Sequence, residues 1–168
     1  MKMNQVLLDA LNREVARSRR VLEQTPDGKY DWKPHDKSMI LGYLSDMVAS
    51  IPSWITAIVK QDSLDIAPQQ SSVKPAPKTT SGELVAALEE SAATARTALT
   101  ETNDEFLRTN WQLKAAGKVV LEGPRDETIL DTLSHWAHHR GQMTVYLRLL
   151  DAKVPSTYGP TADDNAFR

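Results

Sequence analysis

Three of the four histidines in this 168-residue chain fall within Ser134-His135-Trp136-Ala137-His138-His139-Arg140. His135 and His139 are four apart. On an α-helix that spacing puts both imidazoles on one face, close enough to share a divalent ion. His138 points elsewhere, because each residue turns a helix by about 100°. Gln142 and Tyr146 continue the 135/139 face and could hydrogen-bond a ligand or a metal-bound water. The competing reading makes the two histidines ordinary polar residues near a helix surface, and Tyr146 a core residue. Position 136 is Trp, so the pair is not the zinc-protease motif that places Glu beside the first histidine. Arg140 could position an anion, or simply sit on the surface. Trp54 and Trp136 read as core or pocket walls.

These residues need helices to position them. Asn4 to Gln24 carries Leu7, Leu11, Val15 and Leu22 at helical spacing, with Ser18 in the stripe, and Thr25-Pro26-Asp27-Gly28 ends the segment. Tyr30, Trp32 and Pro34 follow in a loop expected to pack aromatics onto the helices. A second helix is predicted from Ser38 to Lys60, capped by Asp36 or Ser38, with a kink or break at Pro52. Residues 61–79 lose all periodicity and read as a long surface crossover. Thr80-Ser81-Gly82-Glu83 has the spacing of a capping box and opens a third helix to about Asn103. Asn110 to Pro124 is predicted to form a hairpin of two short strands around Gly117. A fourth helix is predicted from Glu127 to Leu150, capped by Asp126, followed by a polar, turn-rich tail. Four amphipathic helices need a shared core, and an all-α four-helix bundle in a single domain, 1–168, is the simplest solution.

The composition is that of an ordinary soluble chain. Hydrophobic residues make up 40% and charged residues 25%, and 20 Lys and Arg against 22 Asp and Glu leave a net charge of −2. That balance exerts no pull toward nucleic acid, and Arg17, Arg19 and Arg20 read as a solvated face. No nucleic-acid partner is expected. There is no cysteine, so a thiolate nucleophile or cysteine metal site is excluded. No apolar run reaches the ~20 residues that cross a bilayer, and Met1 to Leu11 lacks a signal-peptide pattern. A cytoplasmic protein with no membrane partner is the expectation.

The chain resembles the DinB-like superfamily of metalloenzymes over nearly its whole length. The resemblance rests on Lys37-Ser38-Met39-Ile40-Leu41-Gly42, His138-His139-Arg140-Gly141-Gln142, Tyr146 to Leu150, Val154-Pro155 and Tyr158-Gly159-Pro160. It implies an up-down-down-up topology with a long crossover between the second and third helices. It also implies three histidines holding nickel, zinc or a related divalent ion, two of them matching His135 and His139. The third falls at position 47, where this chain has Met. A thioether is a soft, weak ligand for nickel or zinc and suits packing better. The metal site is therefore expected to be weakened or lost. Asp46 and His35 are the possible substitutes, the first only after a helix shift and the second only if its loop folds over the bundle end. The resemblance further implies transfer chemistry with a low-molecular-weight thiol as the nucleophile, or hydrolysis, in a homodimer. A non-catalytic bundle that binds a small ligand is the alternative.

Overall fold

The computed structural model describes residues 2–67 and 77–165. Within them lie six helices and one small sheet: α1 (Met3–Leu22), α2 (Leu41–Ser50), α3 (Pro52–Lys60), β1 (Ser63–Asp65), α4 (Ser81–Glu101), α5 (Asp104–Leu107), β2 (Asn110–Ala115), β3 (Lys118–Pro124) and α6 (Arg125–Leu149). The fold is mostly helical, but the sheet makes it more than all-α. The three strands run in the order β1-β2-β3, with β1 parallel to β2 and β2 antiparallel to β3.

The predicted second helix is two helices, and the reason is covalent. Pro52 has no N–H to give to the carbonyl of Val48, four residues earlier. That carbonyl instead accepts from the indole Nε1–H of Trp136, at 2.8 Å. The carbonyl of Ala49 is taken by the Ser91 hydroxyl, also at 2.8 Å. Pro52 then serves as the first residue of α3, where a missing N–H costs nothing. The carbonyls freed at the break tie α2 to α6 and α4.

The start of α2 also differs from the sequence expectation. Neither Asp36 nor Ser38 caps it, because it begins at Leu41 after an extended Ile40. The N–H groups of Leu41 and Gly42 donate to the carbonyls of Trp32 and Tyr30, both at 2.8 Å. Gly42 suits this approach: a Cβ there would lie 3.1 Å from the Tyr30 oxygen, and the loop would have to give by a few tenths of an ångström. The aromatic loop thus acts as a backbone cap, and Trp32 meets Tyr146 edge-on at 5.7 Å. Asp126 is likewise not a cap, since α6 begins at Arg125 after Pro124. The Thr80–Glu83 capping box is present in both directions.

The core runs through the helices. Leu7, Leu11, Leu44, Ile55, Leu88, Ile129, Trp136 and Leu147 are fully buried. In α4, Ala92, Ala95 and Ala98 are equally buried, and their small size lets α1, α2 and α3 pack against one helix.

The hairpin β2–β3 turns through Ala116 and Gly117, both at positive φ, as a two-residue turn of this hand requires. Asp65, at the end of β1, accepts from the N–H groups of both residues at 3.1 and 2.7 Å. Residues 63–65, expected to be aperiodic crossover, therefore form an edge strand that clamps the turn. Of the predicted 61–79 crossover, residues 68–76 lie outside the described residues.

Candidate functional site

α6 carries the histidines and α2, α3 and the sheet face them. His135 and His139 meet Nε2 to Nε2 at 3.1 Å, with their rings edge to face. The Nδ1–H of His139 donates to the Gln142 Oε1 at 2.9 Å, and the Gln142 amide donates to His138 Nε2 at 2.9 Å. Holding Nδ1 in this way fixes the tautomer and leaves the His139 Nε2 lone pair aimed at His135. Trp54 stacks on His135, with ring centres 5.5 Å apart and planes 20° from parallel. Burial, and then the neighbouring charges His139 and His138, hold the His135 pKa below its ordinary value. A neutral imidazole is the form that binds metals.

The pair lies in a cleft of about 460 Å³ lined by Tyr43, Met47, Trp54, Leu64, Asp65, Ile66, His135 and His139. Half-buried Met47 thus faces the same space as the two histidines. A second, apolar cavity of about 330 Å³ adjoins it and shares Trp54, Ile66 and His135.

The other candidate residues lie elsewhere. Asp46 ion-pairs with Lys78 at 2.5 Å. His35 sits in the exposed loop before α2, where its Nδ1 accepts from the Lys37 N–H. Tyr146 is buried and donates to the Met39 carbonyl at 3.0 Å. Arg140 is not a surface residue. It is 1% exposed and held by the Glu14 carboxylate, the Ser18 hydroxyl at 2.9 Å and the Tyr158 hydroxyl. It pins the tail after α6 onto α1 rather than presenting a charge to the cleft.

Several residues of the cleft and of the adjoining cavity carry no sequence motif. Ile66 and Asp65 sit in a stretch without periodicity. Trp111, Leu113 and Leu121 come from the hairpin and reach the site only through tertiary packing. Asp131 was legible in principle, since it stands one helical turn before His135.

The donor set can be compared with the metal chemistry. Two nitrogens each about 2.0–2.1 Å from one ion lie about 2.9–3.4 Å apart, for angles from octahedral to tetrahedral. The 3.1 Å separation of the imidazole nitrogens falls within that range, although in the metal-free pair it is a hydrogen bond whose proton, on His135 Nε2, an ion would displace. A set of three does not form: among the described residues no group of three His, Cys, Asp or Glu side chains gathers at one point. The Asp65 carboxylate, although in the cleft, is committed to the N–H groups of Ala67, Ala116 and Gly117.

The sequence model of the DinB family matches residues 1–166. This chain belongs to the DinB family. Its fold is shared by solved DinB-like proteins. One from Bacillus cereus has a TM-score of 0.69 and 19% identity, over 90% of this chain and 95% of that one. Another from Bacillus subtilis has a TM-score of 0.65 and 14% identity, over 90% of this chain and 96% of that one. No curated protein matches the chain in sequence. Among the described residues of this DinB protein, no helix is long and apolar enough to cross a membrane.

Proposed function

We propose that this DinB protein is a small-molecule transferase or hydrolase that depends on a divalent ion, nickel or zinc, at a weakened site held by His135 and His139. The observation that carries the reading is the 3.1 Å convergence of their Nε2 atoms inside a cleft large enough for a ligand. An ion bound there supplies acidity to a coordinated water or low-molecular-weight thiol. Gln142 sets the His139 tautomer, and the Trp54 indole restrains the His135 ring. Met47 borders the third side with a thioether, which favours neither nickel nor zinc. The same reading carries an up-down-down-up four-helix arrangement of α1, α2–α3, α4 and α6, a cytoplasmic location and a homodimer.

Met47 also favours a second reading, in which the bundle has lost metal affinity and serves as a non-catalytic small-ligand binder. Calorimetry on metal-stripped protein separates the two. The first reading expects nickel or zinc to bind wild type with a dissociation constant above about 1 μM, and His139→Ala to abolish the heat. An absence of binding up to millimolar metal would leave only the second.

A further inference from the structure

We propose that the apolar cavity beside the histidine pair seats the body of an apolar amine, with its ammonium group at Asp131. The inference deepens the small-molecule reading by naming a ligand class, and it rests on that reading only for the location.

Trp54 and Ile58 of α3, Trp111, Leu113 and Leu121 of the sheet, and Ile66 form the walls. Thr128 and Thr132 of α6 complete the lining. Their hydroxyls are already spent on the backbone carbonyls of Pro124 and Thr128, both at 2.8 Å. The surface offered to a ligand is therefore apolar apart from the Trp111 indole, whose Nε1–H has no hydrogen-bond partner among the described residues. At about 330 Å³ the space is at the small end of ligand pockets, which suits a body of one or two rings.

Charge supplies the rest of the argument. The described residues lining this cavity and the adjoining cleft include Asp131 and Asp65 but no Lys or Arg. Asp65 has its oxygens occupied by backbone N–H groups. Asp131 is exposed and forms no ion pair among the described residues. In the metal-free protein, a carboxylate or phosphate ligand would meet like charge and no Lys or Arg among the described lining residues. An ammonium would meet the Asp131 carboxylate.

The test compares three probes of one shape by calorimetry on metal-stripped protein: 2-naphthylmethylamine, 2-naphthalenemethanol and 2-naphthoate. The ammonium probe should bind tightest, about fivefold better than the alcohol, with the carboxylate weakest. Asp131→Asn should erase the fivefold preference and leave the alcohol unchanged. Leu121→Gln, on an exposed strand position lining the cavity, should weaken all three probes, whereas Val145→Gln, at an exposed position of α6 that lines neither cavity, should change none. Binding of the carboxylate as tight as the ammonium, an unchanged preference in Asp131→Asn, or no binding of any probe would overturn the proposal. His139→Ala separates this from the metal reading. It should abolish nickel or zinc binding and keep amine binding, so failure of either titration alone strikes only its own claim.

Discussion

Met47→His is the most informative single change in the cleft. Position 47 borders the same space as His135 and His139, so the substitution adds a third imidazole where a weak thioether stands. Without metal the effect should be small. Met47 is only half-buried, and the more polar ring loses at most about 1 kcal/mol of burial. With metal the balance reverses, because a ligand that binds only the folded state contributes RT ln(1 + [L]/Kd). At a hundredfold excess over Kd this is ~2.7 kcal/mol. For a chain of this length 1 kcal/mol moves the melting temperature by roughly 2–4 °C, so the upshift should be about 5–11 °C. The assay is a set of paired melts of wild type and M47H, each with chelator and with added nickel or zinc. A metal-dependent upshift much larger in M47H than in wild type is the expected result. Equal strong shifts in both would mean that the native ligand set is already complete. No shift in either would refute the placement of the three side chains around one point.

Three other changes test the scaffold. Arg140→Met strands the Glu14 carboxylate with only Arg17 and Tyr158. It should cost about 2–4 kcal/mol in chemical denaturation, and adding Glu14→Leu should recover most of the loss. The same network sets a pH dependence. Burial alone would raise the Glu14 pKa, but the Tyr158 hydrogen bond, then the Arg140 and Arg17 guanidiniums, bring it below its ordinary 4.5. The folded state therefore gains stability above pH 4.5 that it loses as pH falls through the lowered pKa, and Arg140→Met should flatten that fall. Trp136→Phe leaves the Val48 carbonyl without a donor and should cost about 2–3 kcal/mol by thermal melt; in a Pro52→Ala background, where residue 52 regains an N–H, the cost should shrink. Thr80→Ala removes the accepting half of the capping box at the start of α4 and should cost about 1 kcal/mol by urea denaturation.

The helices were legible where apolar residues repeat at helical spacing and a cap or breaker bounds them, as at Thr80 and at Thr25 to Gly28. The histidine pair was legible because one helix carries both members at a fixed spacing. Pro52 signalled a break, but nothing local revealed that Trp136, 84 residues later, would take over the orphaned Val48 carbonyl. The caps of α2 and α6 were misread because Asp36, Ser38 and Asp126 have the right chemistry in the wrong place. At α2 the job falls to backbone carbonyls of the preceding loop. Arg140 looked exposed because its partners, Glu14 and Tyr158, lie on distant segments. Strand β1 escaped notice because three residues cannot show a period, and its stabilisation comes from pairing with β2 and from Asp65.

The central claim is that His135 and His139 together can hold one metal ion in this cleft. X-ray absorption on the nickel-loaded protein tests it directly, because imidazole rings give an outer-shell scattering pattern that counts them. The account predicts two imidazoles on the nickel in wild type and no nickel retained at the site in His139→Ala. A nickel with no imidazole in wild type, or one whose shell is unchanged by His139→Ala, would contradict it.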